Sequence, residues 1–447
     1  MPEVSVPWGR DKLSIALPEH WQLLQVASPS LRAAPADWAD RLAVALTQPA
    51  AGLPLEKLLS ARRGGRIVLV VEDSSRHSPL PEILAVVLRE IRHAGVADEQ
   101  MELFFATGMH PPMTGEEAAA KLGPGGAGIA WRSNPWHRPR AHVSVGRVGN
   151  IDIRIDRGVA EADLRIIISA VAPHLQAGFG GGYKMLVPGC AALETIRRLH
   201  RLGMRRDGAP LVGTDASANP MRSVIDAAGS LVDARRGKTF AVQYLLDEAA
   251  LPAFVATGEP LPAQQMLAKQ CSVGCGVVTP VQADLLIVNA HPLDLDLWQS
   301  FKCIANTRWA VRPHGVILCL TRCPSGLHGM KPPPWPFSPA WTRRLISLLG
   351  PEGLSALVTR LVPRLAGDAA FFIRLATQTA RRNPILFASP SMHALGIRFP
   401  GVELFPDADR AIAAAGRLLG GGPQRVIVFP SGGTSFPVLT SAAPPAP

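Results

Sequence analysis

The chain is short of several features that would narrow its class at once. Only six cysteines occur in 447 residues, and the one close pair, Cys271 and Cys275, is spaced C-x3-C with no second pair near it. Such usage builds no disulfide framework, a reducing compartment is expected, and metal binding by the single pair is the minor alternative. No apolar run approaches the ~20 residues that span a bilayer; runs such as "ADLLIVNA" and "HGVILCL" are of strand length. The opening "MPEVSVPWGRDKLSIALP" lacks a basic head followed by an apolar core, so the expectation is a soluble, cytoplasmic protein with no membrane partner. Charged residues are sparse at 18%, yet their balance is lopsided, at +11. The basic residues are scattered doublets ("RRGGR", "RRLHRLGMRR") with no basic tract interleaved with aromatics, which speaks against nucleic acid and for a small anionic ligand.

What is present is a folded α/β chain. Apolar residues make up 47%, and 447 residues exceed one ordinary core, so two domains are expected. In "GRIVLVVEDSSRHSPLPEILAVVLREIRHAG" a β-branched run, Ile67 to Val71, ends in a polar loop and gives way to apolar residues at helical spacing. A second strand, "MELFFATG", follows, then a loop and the helical "GEEAAAKLG". "HVSVGRVGNIDIRID" alternates as β, "ADLRIIISA" reads as a buried strand, and "AALETIRRLHRLG" reads as a helix with His200 near its end. The tract "ATGEPLPAQQMLAKQCSVGCG" reads as a crossover, after which strands and helices alternate again to "RVIVFP". Two α/β domains with mainly parallel sheets follow, residues 1–270 and 271–447, with an active site expected in the cleft between them at the carboxyl ends of strands.

The stretch "HLQAGFGGGYKMLVPG", His174 to Gly189, is the most unusual in the chain. A P-loop needs Gly directly before its lysine and a hydroxyl directly after; Tyr183 and Met185 hold those positions around Lys184. The dinucleotide fingerprint fails as well, because its third glycine falls on Tyr183. Gly180, Gly181 and Gly182 could still offer N–H groups to a phosphate, and a tight structural turn is the competing reading. His110, His174 and His200 each fall at an element end. Two imidazoles flanking a substrate can exchange a proton on either face, and a third can ligate a borderline metal; isolated surface histidines are the plain alternative. In "WQSFK" Gln299 and Lys302 share a helix face and, with Arg76, could clamp a carboxylate, against the reading of a solvated face.

The motifs "EDSSRHSP", "ATGMH", "APHLQAGFGGGYKMLVPG", "RLH", "DLWQSFK" and "RCPSGLHG", in that order from about Ile67 to Gly329, resemble the nickel-dependent lactate racemase family. The resemblance implies an isomerase carrying a nickel pincer nucleotide, a pyridinium mononucleotide whose two sulfur-bearing arms grip nickel. Carried over by position, Lys184 is the covalent attachment point and His200 the nickel ligand. His110 and His174 are the catalytic acid/base pair. Arg76, Trp298, Gln299 and Lys302 bind substrate, and Asp73, Ser75 and the glycines 180–182 hold the nucleotide. The implied reaction is racemisation or epimerisation of a small 2-hydroxy acid: one histidine takes the hydroxyl proton while hydride leaves C2, and the planar 2-keto acid is reduced from its other face. Such chemistry avoids removing a weakly acidic C2 proton. Enzymes that make the cofactor are the implied protein partners, and self-association as a homodimer stays open. The alternative is a non-racemising relative of the same fold that oxidises or reduces hydroxy acids or only binds a ligand. Tyr183 and Pro111 stand where the family commonly has arginine, and Trp298 where it commonly has tyrosine. These departures, with the proline-rich "HGMKPPPWPFSP", direct attention to substrate choice around Tyr183.

Overall fold

The computed structural model describes residues 2–62, 64–203, 210–327, 337–361 and 369–439; the proline-rich stretch from 328 lies outside them as far as residue 336. Two compact units form, one from the described residues of 31–203 and 211–274 and the other from those of 2–30 and 275–439.

In the first unit the run Ile67–Val71 is buried at all five positions, as a strand covered on both faces must be. It lies inside a six-stranded sheet ordered Pro252–Gly258, Lys238–Leu246, Leu164–Ala170, Ile67–Val71, Met101–Phe105, Ala130–Ser133. Every neighbouring pair is parallel except the first two strands, which are antiparallel. The helix Leu80–His93 packs its Ile83, Leu84, Val87 and Ile91 with Leu69, Val71 and Leu103 of the sheet. "HVSVGRVGNIDIRID" is a separate antiparallel hairpin, His142–Val148 with Ile151–Asp156.

The second unit is a wholly parallel sheet ordered Val402–Phe405, Ile385–Ala388, Val311–Leu320, Ala283–Asn289, Arg425–Phe429, Gln22–Val26. Its last strand corrects the expected domain limits: residues 2–30, assigned by the sequence to the first domain, belong to the second unit. Gln22–Val26 pairs with Arg425–Phe429, some 400 residues away, and Val4, Val6, Ile15, Leu17 and Trp21 share that unit's core. Backbone groups along an edge need partners, and this edge supplied them. The expected crossover between domains, "ATGEPLPAQQMLAKQCSVGCG", contains the helix Pro260–Cys275, on which Cys271 and Cys275 are buried, and the chain passes from the first unit to the second at the end of that helix. Among the described residues no helix is long and apolar enough to cross a membrane.

Candidate active site

Three adjacent parallel strands of the first unit, Leu164–Ala170, Ile67–Val71 and Met101–Phe105, end at one edge of the sheet. The loops leaving them carry His174, the run Glu72–Arg76 and His110, so the topology gathers these groups at the edge where α/β sheets bind ligands. Glu72 is buried and locks the loops: its carboxylate accepts from Ser78 Oγ at 2.6 Å, the Ala170 amide at 2.7 Å and the Tyr244 hydroxyl at 2.9 Å. Asp73, also buried, accepts the Ser75 amide at 3.0 Å on Oδ1 and meets His110 Nδ1 at 2.6 Å with Oδ2. Burial alone would raise the Asp73 pKa, but the hydrogen bond and charge of His110, with Arg76 and Ser75, hold it well below the usual carboxylate range. Arg76 is half-buried, and its carbonyl accepts the Lys121 ammonium at 2.5 Å.

The His110 loop is tied to the end of the glycine stretch. The Gly108 amide donates to Gly189 O at 3.0 Å. Buried Asn134 donates to both Gly108 O at 3.2 Å and Ala191 O at 2.9 Å, while its oxygen faces His142 Nε2 at 3.2 Å. Trp136 Nε1 donates to His110 O at 3.1 Å. In the same loop Thr107 Oγ is buried with no hydrogen-bond partner among the described residues. A buried hydroxyl of this kind costs on the order of 1–3 kcal/mol unless something binds it.

The glycine stretch is held from behind. Pro173–His174 pairs with Gly178–Phe179 in a two-residue hairpin, and His174 Nδ1 accepts the amides of Gln176 at 3.2 Å and Ala177 at 3.0 Å. Buried Arg222 reaches Ala177 O at 3.3 Å, Gly181 O at 3.4 Å and, closer still, Phe179 O. Asn219, the N-cap of Pro220–Arg235, donates to Gln176 O at 3.0 Å. The expected phosphate cradle is largely spent on the protein itself. The Gly180 amide bonds Ala172 O at 2.8 Å and the Gly182 amide bonds Gln243 Oε1 at 2.7 Å. Gly181, at φ +73°, is glycine because a Cβ there would lie 2.3 Å from Gln243 Oε1.

Tyr183 has a different role from the one its position suggested. It is buried, its hydroxyl donates to Asp233 Oδ2 at 2.7 Å, and its ring packs so closely on Gly229 that a Cβ there would lie 1.9 Å from Cγ. Burial, then the Asp233 charge, pushes its pKa far up, so it stays a neutral donor. Asp233 is shared with Arg165, fully buried, whose Nη2 donates to it at 3.1 Å. Tyr183 therefore anchors the loop to the Pro220–Arg235 helix.

Lys184 sits half-buried in the short turn Gly182–Met185, and His200 half-buried in the last turn of Leu193–Leu202. The amine of Lys184 and the imidazole of His200 are the group types that an amine-linked, nickel-bearing cofactor would use, whereas the Gly180 and Gly182 amides are already bonded within the protein and are not offered to a phosphate. Trp298, Gln299 and Lys302 lie on Leu297–Thr307 of the second unit, capped by Asp296 accepting the Gln299 amide at 2.9 Å. Lys302 Nζ donates to Gln299 Oε1 at 2.8 Å. Glu72, Thr107, Asn134, Asn219 and Arg222 were not singled out from the sequence. The Asn-Pro pair at 219–220, a helix-start signal, could have pointed to the helix that backs the loop.

Residues 8–211 match the lactate racemase N-terminal domain. A lactate racemase of Thermoanaerobacterium thermosaccharolyticum is 25% identical over 346 residues, 74% of this chain and 76% of that protein. One of Lactiplantibacillus plantarum is 32% identical over 159 residues, 35% of this chain and 36% of that protein. The structure of the Thermoanaerobacterium lactate racemase apoprotein superposes with a TM-score of 0.81 at 19% identity, covering 98% of this chain and all of that one. A protein of Thermotoga maritima superposes at 0.62 and 16% identity over 90% of this chain and 98% of its own. By these matches residues 8–211 carry a lactate racemase N-terminal domain, and the chain as a whole shares the mixed α/β fold of the lactate racemase apoprotein.

Proposed function

We propose that the protein racemises or epimerises a small 2-hydroxy acid and uses a nickel pincer nucleotide. The observation that supports this reading most is the pair His110 and His174 in loops leaving two parallel strands of one sheet, in a chain whose 346-residue match is to a lactate racemase. In this reading Lys184 bonds the cofactor and His200 ligates nickel. When bound, the cofactor supplies a hydride acceptor, which no amino-acid side chain provides. The chain's own groups handle binding and protons. Arg76, Gln299 and Lys302, beside Trp298, bind the substrate carboxylate, and Gln299 aims the Lys302 ammonium through its 2.8 Å bond. His110 takes the proton of the substrate hydroxyl at Nε2, its other nitrogen being held by Asp73. His174 faces the opposite enantiomer's hydroxyl. The same reading takes the cytoplasm as the compartment and the cofactor-making enzymes as partners.

Protein co-expressed with cofactor-making enzymes tests it. Intact-protein mass and metal analysis should find a nucleotide adduct and nickel, both lost in Lys184→Ala, and chiral chromatography should find inversion of at least one acid in a panel of aliphatic, aromatic and sugar-derived 2-hydroxy acids. Loaded protein that inverts none of them contradicts the reading and leaves a non-racemising relative in its place.

A further inference from the structure

The two site histidines are held by opposite kinds of neighbour. His110 Nδ1 lies 2.6 Å from Asp73 Oδ2, and that carboxylate, depressed in pKa, can only accept. The hydrogen between them therefore belongs to His110 Nδ1, and the neutral ring keeps its lone pair on Nε2. His174 Nδ1 receives two backbone N–H donors, from Gln176 at 3.2 Å and Ala177 at 3.0 Å. A nitrogen that accepts cannot carry a hydrogen there, so the neutral His174 ring carries its hydrogen on Nε2. Asp73 has little left for another ligand. Its Oδ1 already takes the Ser75 amide at 3.0 Å and the Ser75 hydroxyl at 2.5 Å, its Oδ2 takes His110, and its side chain is only 8% exposed against 44% for His110.

We propose that Asp73 is the positioning residue of His110 and not a nucleotide ligand, and that the two histidines rest in opposite tautomers, His110 with its lone pair and His174 with its hydrogen at Nε2. The inference rests on the proposed function for its catalytic meaning. His110 is the ready base, while His174 begins as a hydrogen-bond donor to substrate oxygen. For His174 to accept a proton at Nε2, its hydrogen must first move to Nδ1, which means breaking the contacts with the Gln176 and Ala177 amides. Ser75 then acts on Asp73, fixing the carboxylate rather than touching the nucleotide. Racemisation has an equilibrium constant of one, so kcat/KM must be equal for the two enantiomers, and the unequal histidines can express themselves only in kcat and KM separately.

The test does not need turnover. In cofactor-free protein labelled with nitrogen-15 histidine, long-range proton–nitrogen correlation reads each ring's tautomer, the two signals being assigned by their loss in His110→Gln and His174→Gln. The expected result is Nδ1–H for His110 and Nε2–H for His174; the same tautomer on both rings, or the reverse pattern, overturns the proposal. Asp73→Asn should turn His110 toward Nε2–H, leave the Lys184 adduct at the parent level and lower kcat of loaded enzyme on the order of 10²–10⁴-fold, the range seen when a positioned base loses its tautomer. An Asp73→Asn protein that loses the adduct while His110 keeps its tautomer assigns Asp73 to the nucleotide instead. Should the protein invert no hydroxy acid, the tautomers remain measurable, so failure of the proposed function is distinguishable from failure of this one.

Discussion

Arg222→Met should unfasten the glycine stretch, and its cost can be worked from the structure. Arg222 is 3% exposed; its guanidinium donates to Ala177 O at 3.3 Å, Gly181 O at 3.4 Å and Phe179 O, and reaches Asp226 at 3.4 Å. Methionine replaces the methylenes but none of the donors, so buried carbonyls and the half-buried Asp226 carboxylate lose their partner together. Breaking one side of such a buried charged group costs about 3–5 kcal/mol. For a unit of 150–250 residues that is roughly 2–4 °C per kcal/mol, a fall in Tm of roughly 6–20 °C. Asp226→Asn keeps the carbonyl bonds and removes a carboxylate whose pKa burial already raises, so it should cost less than half as much. Calorimetry on cofactor-free protein measures both, and hydrogen exchange should show faster exchange for the Gly180 and Gly182 amides in Arg222→Met alone. A loss under about 1 kcal/mol with unchanged exchange would refute the claim that Arg222 carries the loop.

Gly229→Ala places a methyl inside the Tyr183 ring position and should destabilise by about 1–3 kcal/mol, whereas Tyr183→Phe should lose roughly 1 kcal/mol and leave substrate preference unchanged; a changed preference in a chiral screen would return Tyr183 to the pocket. Asp284 bridges strands through Arg312 at 2.6 Å and Arg425 at 3.1 Å. Burial raises its pKa, but the two guanidinium groups and the Arg425 amide outweigh this and bring it from 3.8 to about 2. A depressed carboxylate stabilises the fold above its unfolded pKa and loses that contribution as pH falls toward the folded value, so the parent's advantage over Asp284→Asn in urea midpoints should shrink between ~pH 5 and ~pH 2.5. An advantage that stays constant over that window would show that the two arginines do not act through the charge.

Much of this was legible from residue patterns. Ile67–Val71, Ala283–Asn289 and Arg425–Phe429 announced themselves as apolar runs, the hairpin at 142–156 as alternation, and Leu193–Leu202 as a helix ending near His200. Local pattern could not report that Gln22–Val26 closes a sheet edge beside Arg425–Phe429, since parallel pairing across so long a loop leaves no mark at either strand. It also missed that Pro260–Cys275 is helical, its prolines falling where the first turn tolerates them. At the site, the histidines and Lys184 stood out by residue type, but their supports did not. Asp73 stands out only as a polar strand-end residue that the resemblance gives to the nucleotide until His110 is brought to it from another strand, and Tyr183 reads as a pocket residue until Gly229 leaves room for its ring. Side chains that act through a long-range partner are invisible to spacing.

The central claim is inversion at C2 with the hydrogen returned rather than exchanged. Cofactor-loaded protein given single enantiomers of 2-hydroxy acids deuterated at C2, in ordinary water, can be followed by chiral chromatography coupled to mass spectrometry. The account predicts that the opposite enantiomer of at least one acid appears with deuterium retained at C2. Inversion accompanied by complete washout of deuterium, or no inversion of any acid by fully loaded protein, would contradict it.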